Sequence, residues 1–156
     1  MRLTIPFALP GLNDYIAAER SHRQKAAGMK RQNQQAVMAV LKRQLRGYRF
    51  REPVVMHYTW IERDRRRDKD NVSAFGRKVI QDALVGIGAL KNDGWTNIEG
   101  FTDKFQVDKK RPGIEIEIEE RRASLHTTGH HPANQSSHFS QLFLECFPGL
   151  RPHRPS

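Results

Sequence analysis

Asp68 and Asp70 are separated by one residue, and in an extended chain residues i and i+2 project to the same side. Two carboxylates held side by side repel, and the pair is costly unless a cation neutralises it. The flanking Arg67 and Lys69 are one source of that charge. A divalent metal is another, because Mg²⁺ takes oxygen ligands and keeps several waters. A third carboxylate, Asp93, stands in the turn-forming segment Lys91-Asn92-Asp93-Gly94, and it joins the pair if helix and turn fold back on the sheet. Three carboxylates plus water suit Mg²⁺, or Mn²⁺ in its place. Such an ion polarises a scissile phosphate, helps to generate hydroxide and stabilises the leaving oxygen. Taken alone, Asp-x-Asp is a weak signal, more often a solvated cluster or a helix cap than a metal site. Its surroundings favour phosphate chemistry. Arg65, Arg66, Arg67 and Lys69 lie around it, with Arg77 further on, as candidate DNA contacts. Lys78 follows Asp70 by two helical turns. A lysine there binds a scissile phosphate or stabilises charge developing in the transition state; its plain alternative is a solvent-facing helix lysine.

These side chains need elements to position them. Leu3, Ile5 and Phe7 alternate with polar or small residues and predict a short strand, ended by Pro10-Gly11 and a turn at Leu12-Asn13-Asp14. From about Gln24 to Arg46 the apolar residues Val37, Val40, Leu41 and Leu45 recur at helical spacing, with Gly47 as C-cap. The basic residues of that helix read either as a solvated face or as one that meets phosphates. Val54 to Glu62 is rich in β-branched and aromatic residues and predicts a second strand. After the charged block 63–71, a helix is expected from about Val72 to Val85, with Val72, Phe75, Val79, Ala83 and Leu84 as its buried stripe and Asp70 or Asn71 as its cap. Ile98 to Val107 reads as a strand. Ile114, Ile116 and Ile118 then alternate with Glu115, Glu117 and Glu119, a strand with one buried face and one wet face. The aromatics Trp95, Phe101 and Phe105 belong either to the core or to a contact between subunits.

The order strand, helix, strand, helix, strand, strand predicts an α+β single domain, a mixed sheet of about four strands with two main helices packed on it. Residues 121–156 carry little periodicity and several Pro, Ser and His, and read as a mostly disordered tail. His126, His130, His131 and His138 fit no zinc spacing, and the lone Cys146 excludes an internal disulfide. No apolar run approaches the ~20 residues of a membrane span. Met1 to Pro10 lacks the apolar core of a signal peptide, so a cytoplasmic location is expected. The 156 residues carry 27 Lys and Arg against 17 Asp and Glu, a formal net charge of +10. A surplus this large points to a polyanion, and nucleic acid is the first candidate. It is also segregated: residues 1–60 hold 11 basic and 3 acidic side chains, residues 71–120 hold 7 and 9.

Asp68-Lys69-Asp70-Asn71, then Lys78, then Gln81-Asp82-Ala83-Leu84, then Gly88-Ala89-Leu90-Lys91-Asn92-Asp93, resembles the RusA-type Holliday junction resolvases. The Arg-rich run between a strand and the aspartates, the two closing strands, and the opening strand followed by Pro10 and Asn13 are also similar. The likeness covers about residues 1–120. It implies a homodimer with a mixed α/β fold, each subunit bringing one acidic cluster to a four-way DNA junction and resolving it by paired symmetric nicks in recombination and repair. A bacterial or phage-encoded origin is typical of that family. By position, Asp68, Asp70 and Asp93 correspond to its metal-binding aspartates and Lys78 to its functional lysine. The family lysine commonly stands one turn after the Asp-Asn pair; here Ala74 is there and Lys78 comes a turn later. The tail has no counterpart. Two other functions fit the same residues. One is a non-catalytic nucleic-acid-binding module, which has no reason to gather three aspartates. The other is a metal-dependent nuclease acting on flaps or RNA.

Overall fold

The computed structural model describes residues 1–121. The elements run β1 (Arg2–Ile5), α1 (Leu12–Ser21), α2 (Arg23–Leu45), β2 (Val54–Glu62), α3 (Lys69–Gly86), β3 (Ile98–Val107) and β4 (Gly113–Glu120). They form an α+β unit with one four-stranded mixed sheet in the order β1-β4-β2-β3. β4 lies antiparallel to both β1 and β2, and β2 and β3 are parallel, joined through α3. Among the described residues no helix is long and apolar enough to cross a membrane. The tail, with its histidines and Cys146, lies outside the described residues apart from Arg121.

The period-2 pattern of the strands decides which face is covered. Leu3 and Ile5 of β1, Met56, Tyr58 and Trp60 of β2, and Ile114, Ile116 and Ile118 of β4 all point into one core. Val37 and Leu41 of α2 and Val72, Val79, Ile80 and Leu84 of α3 meet them there. The stripe expected for α3 is buried at every position. Glu115, Glu117 and Glu119 lie on the opposite, wet face, where Glu117 pairs with Arg2 at 3.5 Å. Of the three aromatics left open between core and surface, Phe105 packs partly on the core, Phe101 is half exposed, and Trp95 is 99% exposed.

Two expectations are corrected. The turn at Leu12-Asn13-Asp14 is the first turn of a third helix, α1. Gly11 occupies its N-cap, and the Asp14 carboxylate accepts the Gly11 N–H at 2.8 Å, satisfying one of the donors a helix start leaves open. α3 begins at Lys69, with Asp68 as N-cap, rather than near Val72. Asp70 is therefore in the first helical turn, and the side-by-side projection expected of an extended Asp-x-Asp does not apply.

α3 lies close on β2 because position 76 has no side chain. A Cβ on Gly76 would fall 2.6 Å from Cζ3 of Trp60. That indole cannot yield easily: its Nε1 donates to Asp103 Oδ1 at 2.8 Å and its ring stacks on Tyr58, centroids 5.5 Å apart. Gly to Ala inside a helix ordinarily gains about 1 kcal/mol. Overpacking a rigid core costs about 1–3 kcal/mol. Gly76→Ala is expected to be net destabilising, by up to about 2 kcal/mol, read as a lowered urea midpoint. An unchanged or raised midpoint would show that the α3–β2 contact is looser than described.

Candidate active site

The parallel pair β2 and β3 ends at Glu62 and Val107, which are register partners. In open α/β sheets ligands bind outside the carboxyl ends of such strands. Here that end carries a cleft. Its lining includes Asp68 and Asp70 from the start of α3, Arg65, Arg67 and Lys69 around them, and Phe105, Gln106 and Val107 from β3.

Asp68 occupies the N-cap of α3 with extended backbone, φ −66° and ψ 151°. Aspartate at this position normally accepts a hydrogen bond from the first-turn N–H groups. Asp68 makes no side-chain cap bond. Its carboxylate and that of Asp70 are exposed and, among the described residues, make no hydrogen bond or ion pair. The start of α3 is fixed instead by Asn71, whose Oδ1 accepts the Asn13 N–H at 2.8 Å and ties α3 to α1. Gly11 is needed beside it, because a Cβ there would fall 2.6 Å from Asn71 Oδ1.

Arg67 and Arg77, expected at DNA, are engaged within the fold. Arg67 donates to both Glu62 oxygens at 2.7–3.0 Å and to the Leu9 carbonyl at 2.9 Å. It clamps the end of β2 to the segment after β1. Arg77 pairs with Asp103 of β3 and lies over the Phe101 ring, 4.5 Å from its centroid. Arg66 is loosely paired to Asp64 at 3.5 Å and remains exposed. Arg65 makes no hydrogen bond or ion pair among the described residues. Lys69 lies 5.7 Å from the centroid of Phe105. Arg65, Arg66 and Lys69 are thus the expected cations left facing solvent at the cleft.

Asp93 is elsewhere. Its Oδ2 accepts from Lys78 Nζ at 2.5 Å, and Lys78 also pairs with Asp82 at 2.9 Å, which in turn holds Lys30 of α2 at 2.8 Å. Lys78 is eight residues beyond Asp70, about 12 Å along the helix axis. Asp93 lines a separate, mostly apolar cleft with Gln81, Trp95, Ile98 and Phe101. Among the described residues no three His, Cys, Asp or Glu side chains gather to cage an ion. The residues that sequence reasoning did not single out are Asp82, Glu62 and Asp103. Asp82 carries a local signal, the i,i+4 spacing to Lys78, and Glu62 stands five residues before Arg67; only Asp103, 26 residues from Arg77, has no partner near it in the chain.

The hydrogen bond from Lys78, the largest effect, holds the Asp93 carboxyl below its ordinary range. Asp93 and then Asp82 hold the Lys78 ammonium above its own. A depressed carboxyl contributes stability above its unfolded pKa of about 3.9, lost as pH falls through the folded value; a raised ammonium contributes below about 10.4, lost as pH rises. The pair therefore stabilises the fold between about pH 4 and 10. Both groups reach solvent, so the gain is no more than about 1 kcal/mol. Asp93→Asn is expected to lower the urea midpoint slightly at pH 7 and by less at about pH 3. An equal loss at both pH values would show that charge is not the cause.

Compared with known proteins, the chain matches no family model and no curated relative.

Proposed function

We propose that this chain is a Mg²⁺-dependent, structure-selective endodeoxyribonuclease that resolves four-way DNA junctions by paired nicks, working as a homodimer. The observation that carries this reading is the pair Asp68 and Asp70, carboxylates in a cleft with neither a cap bond nor an ion pair among the described residues. Mg²⁺ is commonly held by one or two carboxylates plus water and a substrate phosphate, and this donor set fits that pattern. When bound, the ion supplies Lewis acidity to the phosphodiester and acidity to an attached water. Asp68 and Asp70 would hold it. Arg65, Arg66 and Lys69 would bind neighbouring phosphates and fix the strand against the Phe105–Val107 wall. Such contacts position the backbone and carry little sequence information. The resemblance to the RusA-type resolvases supports the junction as substrate, and exposed Trp95 and half-exposed Phe101 are surfaces available to a second subunit.

The binding-module reading is favoured by one observation, the engagement of Asp93 by Lys78 rather than by the other aspartates. One experiment separates the two. A synthetic four-way junction and a linear duplex of the same sequences are incubated with and without Mg²⁺. Symmetric nicking of the junction alone, dependent on metal, supports the nuclease. Tight binding without cleavage in Mg²⁺ or Mn²⁺ replaces it with the binding module.

A further inference from the structure

Between residues 20 and 51 the chain carries ten Lys and Arg and no Asp or Glu. Most of this stretch is α2, 23 residues long. At ~1.5 Å per residue the helix extends about 35 Å. Every one of the ten cations except Lys30 is exposed. Of these ten, only Lys30 has an ion-pair partner among the described residues.

A solvated helix face does not account for this. Such faces mix signs, because opposite charges at i and i+4 support the helix and like charges oppose it. Lys42 and Arg46 are a like-charged i, i+4 pair. The helix dipole favours Lys42 and Arg43 in the last turn, but it disfavours Arg23 and Lys25 at the other end, and the first turn has no acid. Between the cations the exposed positions are small or neutral, among them Ala27, Gly28, Ala36 and Ala39. A bulky polyanion can approach such a surface closely.

We propose that the solvent side of α2 and the loop after it form a second DNA contact, a track for about one turn of a duplex arm. The proposal rests on the nuclease reading for its choice of DNA, and the C-terminal end of this track lies apart from the cleft. The loop joins β2 at Val54, whereas the cleft lies beyond Glu62 at the other end of that strand. Nine strand residues separate the two ends, about 30 Å at ~3.3 Å per residue. The length of α2 matches one duplex turn of about 34 Å. An arm that touches both regions must therefore be at least ~9 base pairs long at ~3.4 Å per step.

The test measures binding by fluorescence anisotropy in EDTA, so cleavage plays no part. Junctions with arms of about 6 and about 15 base pairs bracket the required length. The variant K42Q/R43Q/R49Q removes three distal cations. K104Q/K109Q/K110Q makes the same charge change on exposed residues of β3 and the turn after it. Far-ultraviolet circular dichroism checks folding of both. The wild type is expected to bind long arms more tightly than short ones. The α2 variant is expected to lose about tenfold or more on long arms, with a salt slope shallower by about two to three, roughly one per phosphate contact. Short-arm affinity and the control variant should change little. Equal losses in both variants, no dependence on arm length, or a preference for single strands or duplex RNA would overturn the proposal. A nuclease without this track would still cut junctions in Mg²⁺, and a track without a nuclease would still show the arm-length effect.

Discussion

Asp70→Asn is expected to lower junction cleavage in Mg²⁺ by about 100-fold or more while leaving junction affinity in EDTA and the urea midpoint nearly unchanged. Asp70 is exposed and makes no hydrogen bond or ion pair among the described residues, so its removal orphans no partner. It does sit in the first turn of α3, where a negative charge gains about 0.3–1 kcal/mol from the helix dipole. Asparagine forfeits that and little else. The metal, by contrast, loses one of two proposed ligands. A loss of about 3 kcal/mol of transition-state stabilisation corresponds to about 100-fold in rate, since each ~1.4 kcal/mol is tenfold. Asp68→Asn should behave alike. Asp93→Asn tells the assignments apart. A mild effect leaves Asp93 as the partner of Lys78; a loss equal to that of Asp70→Asn would bring it to the metal, as the resemblance implies. Cleavage retained by Asp70→Asn at the wild-type rate would sink the assignment of the cleft.

The contrast between Asp70 and Asp93 shows what residue order reveals and what it hides. β2, β3 and β4 are legible because alternation and β-branched composition act within one strand, and the stripe of α3 is legible for the same local reason at helical period. α1 is not. Its start, Pro10-Gly11-Leu12-Asn13-Asp14, has turn composition, and its apolar stripe is short: only Ala18 is buried, with Leu12 and Tyr15 partly buried on the core. The helix is held by Asp14 at its cap and by Asn71 from another helix. At the site, Asp68 and Asp70 are legible as a pair because they are neighbours in the chain. Where Asp93 falls depends on how the segment after α3 returns to β3, which no spacing encodes. Arg67 and Arg77 are indistinguishable by type from Arg65 and Arg66. What separates them is a carboxylate five residues before, Glu62, and one 26 residues after, Asp103.

Asp103 carries the second large effect, on stability. It sits on edge strand β3, opposite Tyr58 in the register. One oxygen accepts from Trp60 Nε1 of β2 and the other from Arg77 of α3. Three elements thus converge on one carboxylate, of which 19% of the side chain is exposed, against 22% for Arg77. Asp103→Leu removes both acceptors and leaves a guanidinium and an indole N–H without partners. Breaking a fully buried pair from one side costs about 3–5 kcal/mol. Residual solvent access lowers the ionic part, and the orphaned N–H adds about 1–3 kcal/mol. A loss of about 2–4 kcal/mol is expected, read from urea midpoints. Asp103→Asn keeps an acceptor for Trp60 and should lose less. Arg77→Leu in the Asp103→Leu background removes the stranded cation and should recover part of the loss, so the double variant is more stable than the sum of the singles. Strict additivity, or a loss under about 1 kcal/mol in Asp103→Leu, would mean that Arg77 turns to water once released. The same anchor bears on the cleft, because β3 supplies its Phe105–Val107 wall and α3 its two aspartates. Asp103→Asn should therefore slow cleavage at temperatures well below its own unfolding.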